Sequence, residues 1–477
     1  MKKTLIIILF LLLFTSVAQA DNTIRADVNN SGKISVLDAS LTMRKILNND
    51  LSGTNWVDTA TTGDVNCDNQ INQTDAQLLF RYSLGLPVDD NGWCDNNFPD
   101  LTQEVQWFLG QHEDLKNDYF VGKFGVDDHP SGWDHGAYMR AYIDMYEASY
   151  DVRLLRKLDE LLEIVADGND ILTNRIDDRT GTVLPGWGFR ESFGQDGQAR
   201  YSEMLANALY AYPLAAFARI VKEDPNLQPE FGAHADRYYD MVEQLYSIQN
   251  PFVNDGDSPY GDGTTGTYYQ YPNGHIEDSL DYSNREAPIN LTVIIAEPLV
   301  EMYRASIADG HANDTYRDIV TQVGNYIWWN TTQQTSGQND HFLTWYYWPA
   351  DVDPNSQDRM EDVNHGARLA EFVFSLYDAG LRNQWTEEKL QYLANTFTSG
   401  AVIDPNNITF SNYIDGSGGV YNDDAATLYE WLELQEYSHS SSRESILHYI
   451  RTAMQNQGDD EQYNIAVFAK FARFSRY

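Results

Sequence analysis

From Leu101 to Tyr477 the apolar residues recur at i, i+3 and i+4 and almost nowhere alternate, so the sequence predicts helices rather than strands. The pattern is found near 102–117, 136–149, 152–166, 200–222, 232–248, 288–307, 315–329, 363–380, 386–398, 424–436, 443–455 and 460–474. That many helices in one domain suit paired hairpins better than a simple bundle. They also alternate in character. Those near 136, 200, 288, 363, 424 and 460 are rich in Ala and aromatics, as helices packed on both sides are, whereas those near 152, 232, 315, 386 and 443 carry more charge. The expectation is an all-α chain whose large domain is an α/α toroid, with inner and outer helices alternating round a funnel. The loops leading into the inner helices then gather at one end.

The first hundred residues read differently. Met1 to Ala20 has the form of a targeting segment: Lys2 and Lys3, the apolar run Leu5 to Phe14, then Ala18-Gln19-Ala20 as a small-residue cleavage site. The mature chain is expected to begin near Asp21 and to be exported. No later stretch reads as long and apolar enough to span a bilayer. Residues 27–38 and 64–75 then repeat one pattern, oxygen-bearing side chains at the first, third, fifth and ninth positions and a carboxylate at the twelfth. Asp27, Asn29, Ser31, Ser35 and Asp38 would converge on one cation, and Asp64, Asn66, Asp68, Asn72 and Asp75 on another, because such a loop wraps round a calcium ion. Gly32 supplies the sharp turn in the first copy and Asn69 stands in its place in the second.

Each loop runs into an amphipathic helix, one with Met43, Ile46 and Leu47 and the other with Leu78, Leu79, Tyr82 and Leu84. Two such loops, each followed by an apolar-faced helix with a basic residue (Arg44-Lys45, Arg81), resemble a type I dockerin module over roughly residues 25–88. The resemblance implies paired EF-hand-like sites, calcium-dependent folding and docking onto a cohesin domain of another protein. The turn-forming run Asp89 to Asn97 reads as a linker. The expected organisation is a signal segment at 1–20, a calcium-binding module at 21–88, a linker at 89–98 and a large domain at 99–477.

Charge and cysteine refine this picture only slightly. The formal net charge of -39 argues against nucleic acid or an anionic membrane as partner, and a polyanionic ligand would need a local pocket of Arg, His and Asn. Cys67 and Cys94 are the only 2 cysteines, and outside the cytoplasm their spacing permits one disulfide closing a short loop.

The candidate chemistry falls at the loops before the inner helices. Glu361-Asp362-Val363-Asn364-His365-Gly366 packs two carboxylates, an amide and an imidazole into one turn before the apolar run Leu369, Phe372, Val373 and Leu376. Asp362 or Asn364 can cap that helix, and the imidazole can move a proton near neutral pH. Trp345 to Trp348 and Arg359 precede this same helix, while Trp133-Asp134-His135, Trp187 with Arg190, Arg285 (with Asn290 one turn in), and Tyr413 with Tyr421 stand at the starts of other helices of the same class. Each has a plain structural alternative: the aromatics as core, Asp134, Asp362 and Asp423 as caps, Arg285 and Arg359 in surface ion pairs, His135 and His365 bonded to backbone. Their convergence on one end, rather than any single residue, points to a site.

Flat aromatic faces beside Asp, Asn and Arg suit sugars. The helix layout and the Asn364-His365 pair, with Tyr residues in nearby loops, resemble the α/α-toroid polysaccharide lyases that cleave alginate or glucuronan. That resemblance implies β-elimination beside a uronic acid. Asn364, His365 and Arg359 or Arg285 would neutralise the carboxylate, Tyr413 or Tyr421 (Tyr347 in reserve) would move the proton, and Glu361 would orient His365. Trp133, His135, Trp187, Arg190, Asn290 and Trp345 would line the sugar site. No cofactor beyond calcium is implied. Three rivals stay open: an inverting glycoside hydrolase using a carboxylate pair among Asp134, Glu191, Glu361, Asp362 and Asp424, a uronosyl epimerase, and a non-catalytic sugar-binding module. No zinc-ligand spacing and no phosphate-cradling loop stand out.

Overall fold

The computed structural model describes residues 28, 36–47, 63, 65, 71–83, 101–123, 132–189, 199–277, 280–337, 340–349, 359–382, 384–405, 407–421, 425–438, 445–456 and 461–474. The signal segment, the linker, both cysteines, Arg190 and most residues of the two loops (Asp27, Asn29, Ser31, Ser35, Asp64, Asn66 and Asp68) lie outside them, as do Glu191, Asp423 and Asp424. The chain divides into two compact units, Met1–Leu101 with Arg476–Tyr477, and Thr102–Ser475.

In the first unit the helices Val36–Ile46 and Gln73–Ser83 pack on each other. The repeat seen in the sequence is a repeat in packing. Val28 and Val65, each second in its loop, are both buried, and so are Ala39 with Ala76 and Leu41 with Leu78 at matching offsets from Asp38 and Asp75. Two half-modules, neither able to bury its apolar face alone, thus share one small core.

The second unit is mostly helical, as the 3.6-residue period requires. Six of its helical elements touch in cyclic order: Gly132–Ser149, Met204–Glu223, Ile289–Ala308, Val363–Asp378, the 3-10 helix Ala425–Tyr437, Glu461–Phe474, and back to the first. Between them in the sequence come helices that each pack on a ring member: Val152–Asp167, Gln228–Gln249, Asp314–Trp329, Glu387–Asn395 and Ile446–Asn456. Met204–Glu223 is buried almost all round. It is also long and apolar enough to cross a membrane by length and composition, contrary to the sequence reading, but it lies wholly inside the unit. A ring helix packed on every side must be apolar on every side.

Boundaries and winding differ from the sequence expectation at identifiable places. The second ring helix starts at Met204 rather than near 200 because Tyr201 pairs with Phe189 and Arg200 is clamped on Asp170. The outer helix predicted from 232 starts at Gln228, with Pro229 in its first turn. Four short antiparallel pairs appear where almost no strand pattern was read: Phe252–Asp257 with Thr265–Tyr269, Ile276–Glu277 with Leu280–Asp281, Thr332–Thr335 with His341–Thr344, and Val402–Asp404 with Thr409–Phe410. They are too short for periodicity to register.

The ring is tied together by buried ions. Arg140 binds Glu297 and Glu371 at 2.8 and 2.7 Å, and Lys470 reaches Glu371 at 2.9 Å, Asp144 at 3.4 Å and also Glu433. Arg473 joins Asp144 to Glu147, Arg219 joins Glu147 to Glu301, and Arg368 holds Glu430 at 2.5 Å. Every ring helix contributes. Burial pushes the Glu430 and Glu433 carboxyls up to about 7 against the pull of Arg368 and Lys470. Burial acts the same way on Glu371, but Arg140, Lys470 and Arg368 overcome it and hold that carboxyl well below the usual range.

Candidate functional site

Three extended segments run side by side at the start of helix Val363–Asp378. Tyr346 pairs with Met360, and Asp362 pairs with Tyr413. Glu361 N–H donates to Trp345 O at 3.0 Å, Ile414 N–H to Glu361 O at 3.1 Å, and Val363 N–H to Asn412 O at 3.0 Å. Extended backbone sends successive side chains to opposite faces, so Trp345, Glu361 and Ile414 turn into the core while Asp362 and Tyr413 turn out.

Asp362 caps the helix and does more than cap it. One carboxylate oxygen accepts the His365 backbone N–H at 2.9 Å, and the other accepts the imidazole Nδ1–H at 2.6 Å. Burial alone would lower the imidazole pKa, but the Asp362 bond and charge, with Glu361 behind, outweigh it and raise it. Burial would likewise raise the Asp362 carboxyl, yet His365 holds it below its ordinary value. Each member of the pair thus favours the charged form of the other. Arg359, half of whose side chain is exposed, stands 3.8 Å from Asp362 and 5.8 Å above the rings of both Tyr347 and Tyr413. The Tyr347 ring lies 5.8 Å from the His365 ring. Asn364, partly exposed, sits in the same first turn.

The partner of His365 is therefore Asp362, not Glu361 as the sequence suggested. Glu361 lies beneath, fully buried, one oxygen accepting from Trp345 Nε1 at 3.3 Å and the other without a hydrogen-bond partner among the described residues. Burial, with the Asp362 charge adding to it, pushes the carboxyl up to about 8 against the pull of His365, so it is neutral at pH 7. Gly366 lets the helix approach this floor: a Cβ there would meet Ile414, Trp431 and Trp345 at 3.1 to 3.3 Å. Tyr413 is held by the turn after it, in which Gly416, Gly418 and Gly419 take positive φ and Asn412 Nδ2–H donates to Gly418 O at 2.6 Å.

Other sequence candidates are placed less centrally. His135 is buried, its Nε2–H donating to Tyr119 O at 2.6 Å and its Nδ1 accepting from the Tyr210 hydroxyl at 2.9 Å. Trp187 is core, donating to Val165 O at 2.7 Å, and Trp345 is core as well. Asn290 is buried and bonded to the N–H of Leu291 at 2.9 Å, one residue after Ile289, whose N–H donates to Tyr347 O at 3.3 Å. Arg285 is partly exposed on the turn after Tyr282. Tyr421 is buried, with its hydroxyl 2.7 Å from Thr427 Oγ1. Large aromatics and imidazoles before buried helices are drawn inward by area alone, so residue type does not separate lining from core. Two contacts escaped the sequence: Arg368 over Trp133 at 5.3 Å, and Trp348 stacked on Tyr282.

In the first unit, Asp75 is fully buried and accepts from Val65 N–H at 2.8 Å and from Asn72 N–H at 2.7 Å, so the twelfth residue of the loop gathers its second and ninth. Asn72 itself accepts from Thr74 N–H at 2.8 Å. Asp38 lies near the start of helix Val36–Ile46.

Residues 25–84 match the type I dockerin domain. No curated protein and no solved structure matches the chain.

Proposed function

We propose that the large unit is an α/α toroid acting as a polysaccharide lyase on a uronic-acid-containing polymer, tethered outside the cell through its dockerin module. The cyclic contact order of the six ring helices, each followed or preceded by an outer helix, supports the toroid. The observation that carries the lyase reading is the outward-facing array of Asp362, His365, Arg359, Tyr347 and Tyr413.

Elimination beside a uronate needs the carboxylate neutralised so that the adjacent ring carbon can lose a proton. The His365 imidazolium, Arg359 and Asn364 supply that field. Tyr413 is the proposed base that takes the proton from the carbon next to the carboxyl. The electron pair forms a carbon–carbon double bond, the glycosidic C–O bond one carbon further on breaks, and the leaving oxygen takes a proton from Tyr347. Tyr347 is preferred to Tyr421 because its ring lies 5.8 Å from both the His365 ring and the Arg359 guanidinium, whereas the Tyr421 hydroxyl is paired with Thr427. Asp362 positions and charges the imidazole.

A glycoside hydrolase needs an acid that can reach the glycosidic oxygen. Glu361, its carboxyl pushed up to about 8, is fully buried and bonded to Trp345 Nε1, and Asp362 is committed to His365. For the module, the buried Asp75 and the all-oxygen donor set of both loops fit calcium, and cohesin docking follows as the proposed partnership.

Incubation with a panel of polyuronates and neutral glucans, reading ultraviolet absorbance and new reducing ends together, tests the proposal. Matched increases on a polyuronate are expected, because the product carries a conjugated double bond. Reducing ends without absorbance would shift the assignment to hydrolysis.

A further inference from the structure

The array above does not define how much sugar chain lies on either side of the linkage that is cut. Two half-buried tryptophans bear on that. The Trp348 indole lies parallel to the Tyr282 ring, 8° between planes and 5.7 Å between centroids, and edge-on to Tyr347 at 5.8 Å. Tyr347 in turn is 5.8 Å from His365, so Trp348 is one aromatic step from the array. Trp133 comes from elsewhere, the first turn of helix Gly132–Ser149, which stands three places round the ring from helix Val363–Asp378. The Arg368 guanidinium lies 5.3 Å above its ring. Arg368 is one turn beyond His365 and is itself fixed by Glu430 at 2.5 Å.

Each indole is thus backed by a held side chain, remains partly exposed, and reaches the start of helix Val363–Asp378 by its own path. A flat ring backed on one face offers the other to the apolar C–H face of a pyranose, with little side-chain entropy to lose. We infer that the site holds an internal stretch of polysaccharide, one sugar stacked on Trp348 and another, across the cut linkage, on Trp133, so that the chain is cleaved in its interior. Platforms on both sides of the linkage call for sugars on both sides of it, which an internal stretch of chain supplies. The inference rests on the reading of the His365 region as a polysaccharide site, but not on elimination as its chemistry.

The test uses the full chain with calcium and the polymer that the panel identifies. Early products sized by chromatography should form a ladder of oligosaccharides, with viscosity falling ahead of reducing ends. A single small product from the first time point overturns the inference. Trp348→Ala and Trp133→Ala should each raise KM on the polymer about tenfold with kcat little changed, and the Phe variants should recover most of it. An unchanged KM in either Ala variant also overturns it. Loss of the elimination reading alone shows as reducing ends without absorbance and leaves these comparisons intact. If no polymer is cut, binding of uronate and neutral oligosaccharides, followed by tryptophan fluorescence, decides: weakening in both Ala variants supports the two platforms, and binding that is absent or insensitive to them overturns the inference.

Discussion

At the scale of single residues, the Asp362–His365 pair and Glu361 below it make opposite use of burial. His365 gains from a neighbouring carboxylate, so its folded pKa is raised and the imidazolium is lost only as pH rises through that raised value. If the cation is needed for turnover, the alkaline limb of the rate–pH profile reports it. Asp362→Asn removes the charge and leaves at most a neutral acceptor, so that limb should move to lower pH, while His365→Ala should cut kcat by about 10²- to 10⁴-fold throughout. Glu361 is the reverse case. Its folded pKa of about 8 lies above the ordinary 4.5, so the folded state binds more protons between those values and stability falls as pH rises through that window. Glu361→Gln cannot ionise. Its melting temperature relative to the parent should therefore climb from pH 5 to about pH 8 and then level off. A gap that stays constant with pH would show that Glu361 is not held neutral.

At the scale of elements, the small module is the more fragile unit. The described part of its core is a few Val, Ala and Leu side chains from the two loops and two short helices, and a module of that size commonly leans on a bound metal. Calcium at the two loops would supply that support, since an ion that binds only the folded loop stabilises that fold by mass action. Chelation should remove a separate low-temperature transition and leave the melting of the large unit in place. Asp75→Ala should do the same to the second loop without chelator, because Asp75 also anchors the Val65 and Asn72 amides. Differential scanning calorimetry with and without chelator checks both. The helix starting at Val363 behaves differently: its cap, its neighbouring segments and the glycine at 366 are all specified locally, and so it was readable as a helix start with a polar cluster. The hairpins at 252–269 and 332–344 were not, because strands of four to six residues carry too few alternations to distinguish from loop.

At the scale of the whole large unit, the ring is closed by its last helix. Lys470 and Arg473 from Glu461–Phe474 tie carboxylates on the first, fourth and fifth ring elements, among them Asp144, Glu371 and Glu433. Replacing Lys470 by Met takes one cation from three buried carboxylates, leaving Glu371 to Arg140 and Asp144 and Glu433 to Arg473, and removing one partner of a buried pair costs about 3–5 kcal/mol. Denaturant unfolding of Lys470→Met should show a loss of that size. A loss below about 1 kcal/mol would place the network outside the forces that hold the ring.

Local order along the chain carries the helix periods, the alternation of apolar and charged helices, the doubled loop with its twelfth carboxylate, and a polar cap of Asp362 or Asn364 before the helix near 363. Each is a matter of spacing along a chain whose geometry at that range is fixed by the backbone. Only the tertiary structure decided which of many similar residues faces solvent. It sank Trp345, Trp187 and His135 into the core, left Trp348 and Trp133 partly exposed, and gave His365 to Asp362 while isolating Glu361. Those outcomes turn on which segments meet from 345, 361 and 413, and on the area each side chain can bury there, and neither quantity is local to any stretch of sequence.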